Sequence, residues 1–351
     1  MMRVFQLGTL LGLCLGIFAI AVPRPVAAAD LYTVKGVHVD VTAASASEAR
    51  SIAQANAQSD GLDQLMRRLT SSSDWSRLPK VNNITVQNAV RGFQVASEKS
   101  SSTRYIADLN VSFNPSAVRS ILRGAGILYS ETQAKQALLV PVYVKGGKPD
   151  LWDANPWQDA LAHNDLENAL TPLLLPVGDI EEFTILTANQ AIVGDQSAIT
   201  TLAQRYGTDD VVVAVATSNA DGTSISVKAT RYAPAASTPI NRTYQNIDDA
   251  AAGLIAALSE QWKSETIIAP GSQARLTASV SFLGLDQWQA IRQGLSSTPL
   301  VNGLQVDGIT STSAEVQISY RGTSDKLALA LAQANIELTQ AATGDWLLQS
   351  R

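Results

Sequence analysis

The sequence holds two histidines, His38 and His163, and they come first because imidazole titrates nearest neutrality and ligates metals. His163 stands in Ala162-His163-Asn164-Asp165-Leu166-Glu167, with Asp159 one helical turn earlier. On a continuous helix, positions 159, 163 and 167 share a face, and one imidazole with two carboxylates could hold zinc or manganese. The same spacing also describes an ordinary solvated charged face, which is the commoner outcome. His38 lies in Val37-His38-Val39-Asp40-Val41, where alternation puts it beside Asp40 on the polar side of a strand. That reads as an exposed strand face rather than a catalytic pair.

Other reaction signatures are missing from the sequence. There is no Gly-x-Ser-x-Gly elbow, and Lys145-Gly146-Gly147-Lys148 is followed by Pro149 where a phosphate loop needs Ser or Thr. It reads as a hairpin or loop. The acidic pairs Glu181-Glu182, Asp209-Asp210 and Asp248-Asp249 are chain neighbours, whose side chains diverge on a strand or helix. No catalytic residue, metal site or cofactor is therefore assigned.

Recognition has better candidates. Trp152 and Trp157 flank Asp153-Ala154-Asn155-Pro156 on a connection that follows an apolar strand. Loops beyond the C-terminal ends of strands are where α/β sheets bind ligands. Trp152, Asp153 and Trp157 form the candidate binding loop, able to stack on a sugar or an apolar partner. The opposing expectation is that one or both tryptophans fill the gap between helix and sheet. Trp288 and Trp346 read as core or rim packing; Trp75 and Trp262 carry no further information.

Three stretches of alternating strands and helices must position these residues. In 30–130, a strand over 32–41 leads into Ser45-Ala46-Ser47-Glu48, a capping-box pattern. The helix that follows carries Ala49, Ile52, Ala53, Leu62, Leu65, Met66 and Leu69 as a buried stripe, weakened in its middle by Gly61. Strand 105–113 alternates with period two, so one face is buried and the sheet is antiparallel. Asn114-Pro115 starts a helix.

In 137–266, the apolar runs 137–144 and 211–216 read as strands buried on both faces. Asn155-Pro156 starts a helix, a helix over 198–206 stops at Gly207, strand 224–232 is followed by a loop over 233–239, and 248–263 is an Ala-rich helix. A mixed sheet with helices on at least one face is expected. In 272–351, the order strand-helix-strand-strand-helix-strand predicts a ferredoxin-like βαββαβ module, ending in a strand near Trp346. The fold class is α+β, in three successive modules.

The N-terminus points outside the cytoplasm. Arg3 precedes an apolar run from Val4 to Val22, diluted by Gln6, Thr9 and three glycines, and Ala27-Ala28-Ala29 ends it. This reads as a signal peptide over 1–29, cleaved before Asp30. Cys14, the only cysteine, sits inside the apolar run and suits neither lipidation nor a disulfide. Without Arg3 and Arg24, 24 basic residues face 31 acidic ones. A basic run for nucleic acid or anionic lipid is missing, and no membrane span is expected after cleavage.

Three segments resemble a family of exported proteobacterial proteins catalogued as domain of unknown function two thousand and sixty-six. They are Gly61-Leu62-Asp63-Gln64-Leu65-Met66-Arg67-Arg68-Leu69-Thr70, then Leu151-Trp152 with Pro156-Trp157 and Ala160-Leu161, then Tyr206-Gly207-Thr208-Asp209-Asp210-Val211-Val212-Val213. The resemblance implies the same compartment and supplies no site residues. The third segment also looks like the helix-Gly-strand element of periplasmic modules that help assemble envelope complexes.

The expected function is a non-catalytic periplasmic envelope protein, binding an envelope protein or cell-wall component. The alternative is a metal-dependent hydrolase or metal-binding protein using His163, Asp159 and Glu167. A third possibility, an amphipathic ligand held between modules, requires a deep apolar pocket beside Trp157.

Overall fold

The computed structural model describes residues 30–153, 155–219, 222–233, 238–268 and 272–350. The segment 1–29, expected to be a signal peptide, and most of the 233–239 loop lie outside the described residues. Helices and sheets both contribute, in three sheets of mixed or antiparallel strands, an α+β architecture.

The first module pairs β1 (Thr33–Thr42), β3 (Arg104–Phe113) and β2 (Val90–Ser100) antiparallel, in the order β1-β3-β2. Tyr105, Ala107, Leu109, Val111 and Phe113 are buried, as the alternation requires. Helix α1 (Ala46–Leu69) packs on this face. Its first half is buried through Ala49, Ala53, Ala57 and Gly61, one small residue per turn. A Cβ on Gly61 would sit 3.3 Å from Phe113, so the glycine permits close helix–sheet approach as well as weakening the helix. Ile52, expected on the stripe, is instead exposed, because the small-residue row has already brought the backbone down on the sheet one position away. Ser45 caps the helix from Glu48 N, but the Glu48 carboxylate reaches back to Ala44 N rather than to Ser45 N. A short helix α2 (Asn83–Ala89) precedes β2, and α3 (Pro115–Gly124) follows β3, capped by Asn114 as its Asn-Pro start predicts.

The middle sheet runs β5-β4-β7-β8-β9, formed by β4 (Ala137–Lys145), β5 (Lys148–Asp150), β7 (Val211–Ser218), β8 (Ile225–Tyr232) and β9 (Ile240–Tyr244). A two-residue strand β6 (Leu173–Leu174) joins β4. β4 is parallel to both β7 and β6, and the remaining neighbours are antiparallel. Lys145 to Lys148 is the hairpin turn, with Gly146 and Gly147 both at positive φ.

Helices cover both faces. One face packs α4 (Pro156–Ala162) and α8 (Ile247–Thr266), the other α6 (Ala188–Val193) and α7 (Gln196–Arg205), with α5 (Ile180–Ile185) against α7. Two-sided cover is why β4 and β7 read as unbroken apolar runs. The short helices α5 and α6 have no amphipathic period to announce them; capping by Asp179 and Thr187 sets their starts.

The third sheet has the order β11-β12-β10-β14-β13, made of β10 (Gln273–Ser281), β11 (Val301–Ile309), β12 (Ser313–Arg321), β13 (Ile336–Gln340) and β14 (Trp346–Ser350). Helices α9 (Leu285–Ser297) and α10 (Ser324–Gln333) supply the core on one face. The expected single terminal strand is a hairpin. Its return strand β14 inserts beside β10, parallel to it, and pushes β13 to the edge. The module therefore departs from the ferredoxin-like order by one inserted strand. The other face of β10 and β12 carries Gln273, Arg275, Ser319 and Arg321, none of them buried.

The segment 127–136 has no regular structure, yet half of it is buried and it touches all three modules. Ser130 N donates to Leu69 O at the end of α1, Thr132 O accepts from Trp262 Nε1 on α8, and Lys135 N donates to Gln333 Oε1 on α10. Lys263 completes the joint. Its buried ammonium donates to Arg67 O, Thr70 O and Glu260, filling carbonyls that the last turn of α1 leaves without partners. Burial lowers its pKa, and Glu260 offsets part of that.

Candidate functional site

The expected binding loop does not assemble. Asn155 caps α4 by accepting from Trp157 N and Gln158 N, and this directs Trp157 into the core between α4, α8 and the sheet. Trp157 is fully buried and its Nε1 donates to Ala214 O at 3.0 Å. Trp152 lies on the opposite face of the same sheet, its ring 5.7 Å from Phe183 and its Nε1 on Leu186 O. Asp153 is exposed between them. Two tryptophans five residues apart are thus divided by the sheet, and cannot stack on one ligand.

The metal reading meets a similar correction. Helix α4 ends at Ala162, with His163 as its C-cap, so Glu167 is not on a shared helical face. Glu167 instead pairs with Lys35 of the first module at 3.2 Å. Among the described residues no group of three His, Cys, Asp or Glu is placed to hold a metal ion. His38 pairs across the strands with Asp108 at 2.8 Å, while Asp40 is taken by Arg104. Both arrangements are exposed, and the donors from Ser97 and His38 hold Asp108 below the usual carboxylate range.

Among the described residues three carboxylates are buried: Glu182, Asp210 and Glu131. Glu182, on α5, accepts from Gly178 N at 2.6 Å and from the Tyr206 hydroxyl, with Arg205 Nε 3.5 Å away. Burial, then the bond to Glu182, pushes the Tyr206 phenol up to about 12. Arg205 also binds Asp179 and Glu181, so this cluster is closed within the middle module. Asp210 is similarly consumed by Arg231.

Glu131 is different. It lies in the half-buried connecting segment, bonded to the Tyr32 hydroxyl, with Arg119 Nη1 at 3.2 Å and Arg321 Nη2 at 3.7 Å. Burial, then the Glu131 charge, raises the Tyr32 phenol strongly. Arg321 uses Nη2 on Pro299 O, while its buried Nε has no partner.

Glu131 also lines a cavity of about 240 Å³ between the first and third modules, with Ile127, Leu128, Tyr129, Ile268 and Leu300 as apolar walls. A shallower hollow of about 580 Å³ adjoins it, sharing Arg123, Gln273 and Arg321 and adding Arg275, Asn302 and Ser319. The charged residues lining the two together are Arg123, Arg275, Arg321 and Glu131. Arg123 and Arg275 are exposed and have no carboxylate partner among the described residues. A positive cleft has formed in a chain whose net charge is -5.

This cleft is not legible in the sequence, because its arginines are about 50 to 200 positions apart and no basic run marks it. The visible signal was indirect: Arg275 stands between partly buried Ala274 and buried Leu276, a cation on the open face of a strand.

Fold and cleft define an α+β protein of three sheets, with a basic hollow where the first module meets the third. Within it, residues 27–129 match the model of a family described as Domain of unknown function (DUF8605), which takes in the first module. This is a different uncharacterised family from the one that the three segments resemble. No curated protein matches the chain. Among the described residues no helix is long and apolar enough to cross a membrane.

Proposed function

We propose that this protein is a non-catalytic binding module of the cell envelope, reaching its site by way of the leader-like segment 1–29. Its binding site is the cleft between the first and third modules. The observation that carries this reading is the contrast in charge use. Elsewhere the buried carboxylates are matched by partners inside the protein, as Glu182 and Asp210 are. In the cleft, Arg123 and Arg275 have no carboxylate partner among the described residues and stand beside an apolar hollow. Concave sites with apolar walls and a few convergent polar groups are the usual form of ligand pockets. The Trp152/Asp153 loop is not part of this site.

A photo-crosslinking residue at Asn302, in the cleft, tests the reading against one at exposed Thr339 on the edge strand β13. The full chain is expressed in a Gram-negative host and fractionated. The expected result is a periplasmic protein giving a discrete adduct from position 302 and none from 339. Equal labelling at both positions, no adduct at 302, or retention in the cytoplasm overturns it.

A further inference from the structure

The chemistry lining the cleft narrows what it holds. Resting on the cleft reading above, we infer that it takes a molecule with an oxyanion head, phosphate or carboxylate, and a short apolar body. The head meets Arg123 from the last turn of α3 and Arg275 and Arg321 from neighbouring strands β10 and β12, which are antiparallel partners. The body enters the smaller hollow against Ile127, Leu128, Ile268 and Leu300.

Three features select an anion. Guanidinium forks bind phosphate and carboxylate with paired hydrogen bonds, and Gln273, Asn302 and Ser319 add neutral donors on the same wall. Glu131 is already bonded to Tyr32 and Arg119, so it neutralises only part of the local charge. Arg321 keeps a buried Nε without a partner, a cost that a small turn of its guanidinium onto a ligand oxygen relieves. The hollow is below the ~300–1,000 Å³ typical of drug-sized ligands, which suits a short chain or a small ring rather than a folded partner.

Arg123 and Arg275 are exposed and hold no carboxylate, so glutamine at either position leaves the fold intact, as thermal unfolding will verify. Isothermal titration calorimetry of the mature protein uses four probes: octyl phosphate, octanoate, inorganic phosphate and neutral octanol. Octyl phosphate or octanoate binds saturably with one site, and whichever is tighter identifies the head. Inorganic phosphate binds at least about ten-fold more weakly, and octanol not measurably, since charge-assisted hydrogen bonds supply most of the affinity. Arg123→Gln and Arg275→Gln each weaken the preferred probe by on the order of ten-fold.

Octanol binding as well as octyl phosphate, or either arginine variant retaining full affinity, overturns the inference. So does inorganic phosphate binding as tightly as octyl phosphate, because the apolar hollow then plays no part. A discrete adduct at position 302 without binding of any probe defeats the ligand class but leaves the cleft reading standing. Probe binding that neither arginine variant weakens, together with no adduct at position 302, overturns both readings.

Discussion

Glu182 and Glu131 are both buried carboxylates held by a tyrosine and an arginine, yet their surroundings differ in kind. Glu182 sits within one module and accepts from a backbone amide and a phenol, with a guanidinium nitrogen 3.5 Å away and Asp179 and Glu181 completing the arginine's partners. Glu131 sits where modules meet. It faces a hollow, and one of its arginines is left with an unpaired donor. A closed network fixes local structure, whereas an open one beside a cavity has capacity left for a ligand. Burial does not separate the two, nor does the number of partners, three in each case; the adjoining hollow and the unpaired Arg321 Nε do.

The comparison breaks most sharply under truncation. Glu182→Ala leaves Gly178 N and the Tyr206 O–H without an acceptor and Arg205 with one carboxylate fewer, and is expected to cost about 3 kcal/mol in urea unfolding. A loss below about 1 kcal/mol would mean that the cluster is wetter than its burial indicates. Glu131→Gln keeps the shape but removes the one negative charge from the cleft lining. It is expected to tighten oxyanion binding several-fold at low salt by Coulomb attraction, while Glu182→Gln leaves that binding unchanged. Weaker binding in the Glu131 variant would assign Glu131 to holding Arg321 in place.

Alkaline titration sharpens the same contrast. The Tyr206 phenol ionises near 12 in the folded chain against about 10 unfolded. Its folded pKa is raised, so its stabilising contribution is complete below pH ~10 and is lost as pH climbs from there through 12. Ultraviolet absorbance at 295 nm should show a late tyrosine step that Tyr206→Phe removes, together with part of the alkaline fall in stability. The smallest effect belongs to His163→Ala. An exposed C-cap residue outside both networks should shift stability by less than about 0.5 kcal/mol, with no change in metal content by elemental analysis.

Much of the fold was legible in local pattern. The alternation in 105–113, the double-sided apolar runs of β4 and β7 and the caps at Asn114 and Asn155 each follow from periodicity or capping chemistry, and each formed as expected. What failed was short or depended on pairing. The terminal hairpin closes through Ala341 N to Asp345 O, with Gly344 at positive φ, but its inserted place beside β10 is a matter of sheet register. Trp262, which seemed uninformative, packs into the first module's core from α8 and donates to Thr132 O. Nothing in its neighbours along the chain marks that contact.

By itself, the sequence determined the α+β class, the three successive sheet-forming stretches and the inward faces of their main strands, because hydrophobic period and capping act over a few residues. It could offer Trp152 and Trp157 as a pair, since they are close along the chain. Only the tertiary structure decided that a sheet lies between them, and that Arg123, Arg275 and Arg321 converge instead. Convergence of distant side chains depends on how modules dock, and docking is set by contacts such as Lys263 on the end of α1, which no local pattern encodes.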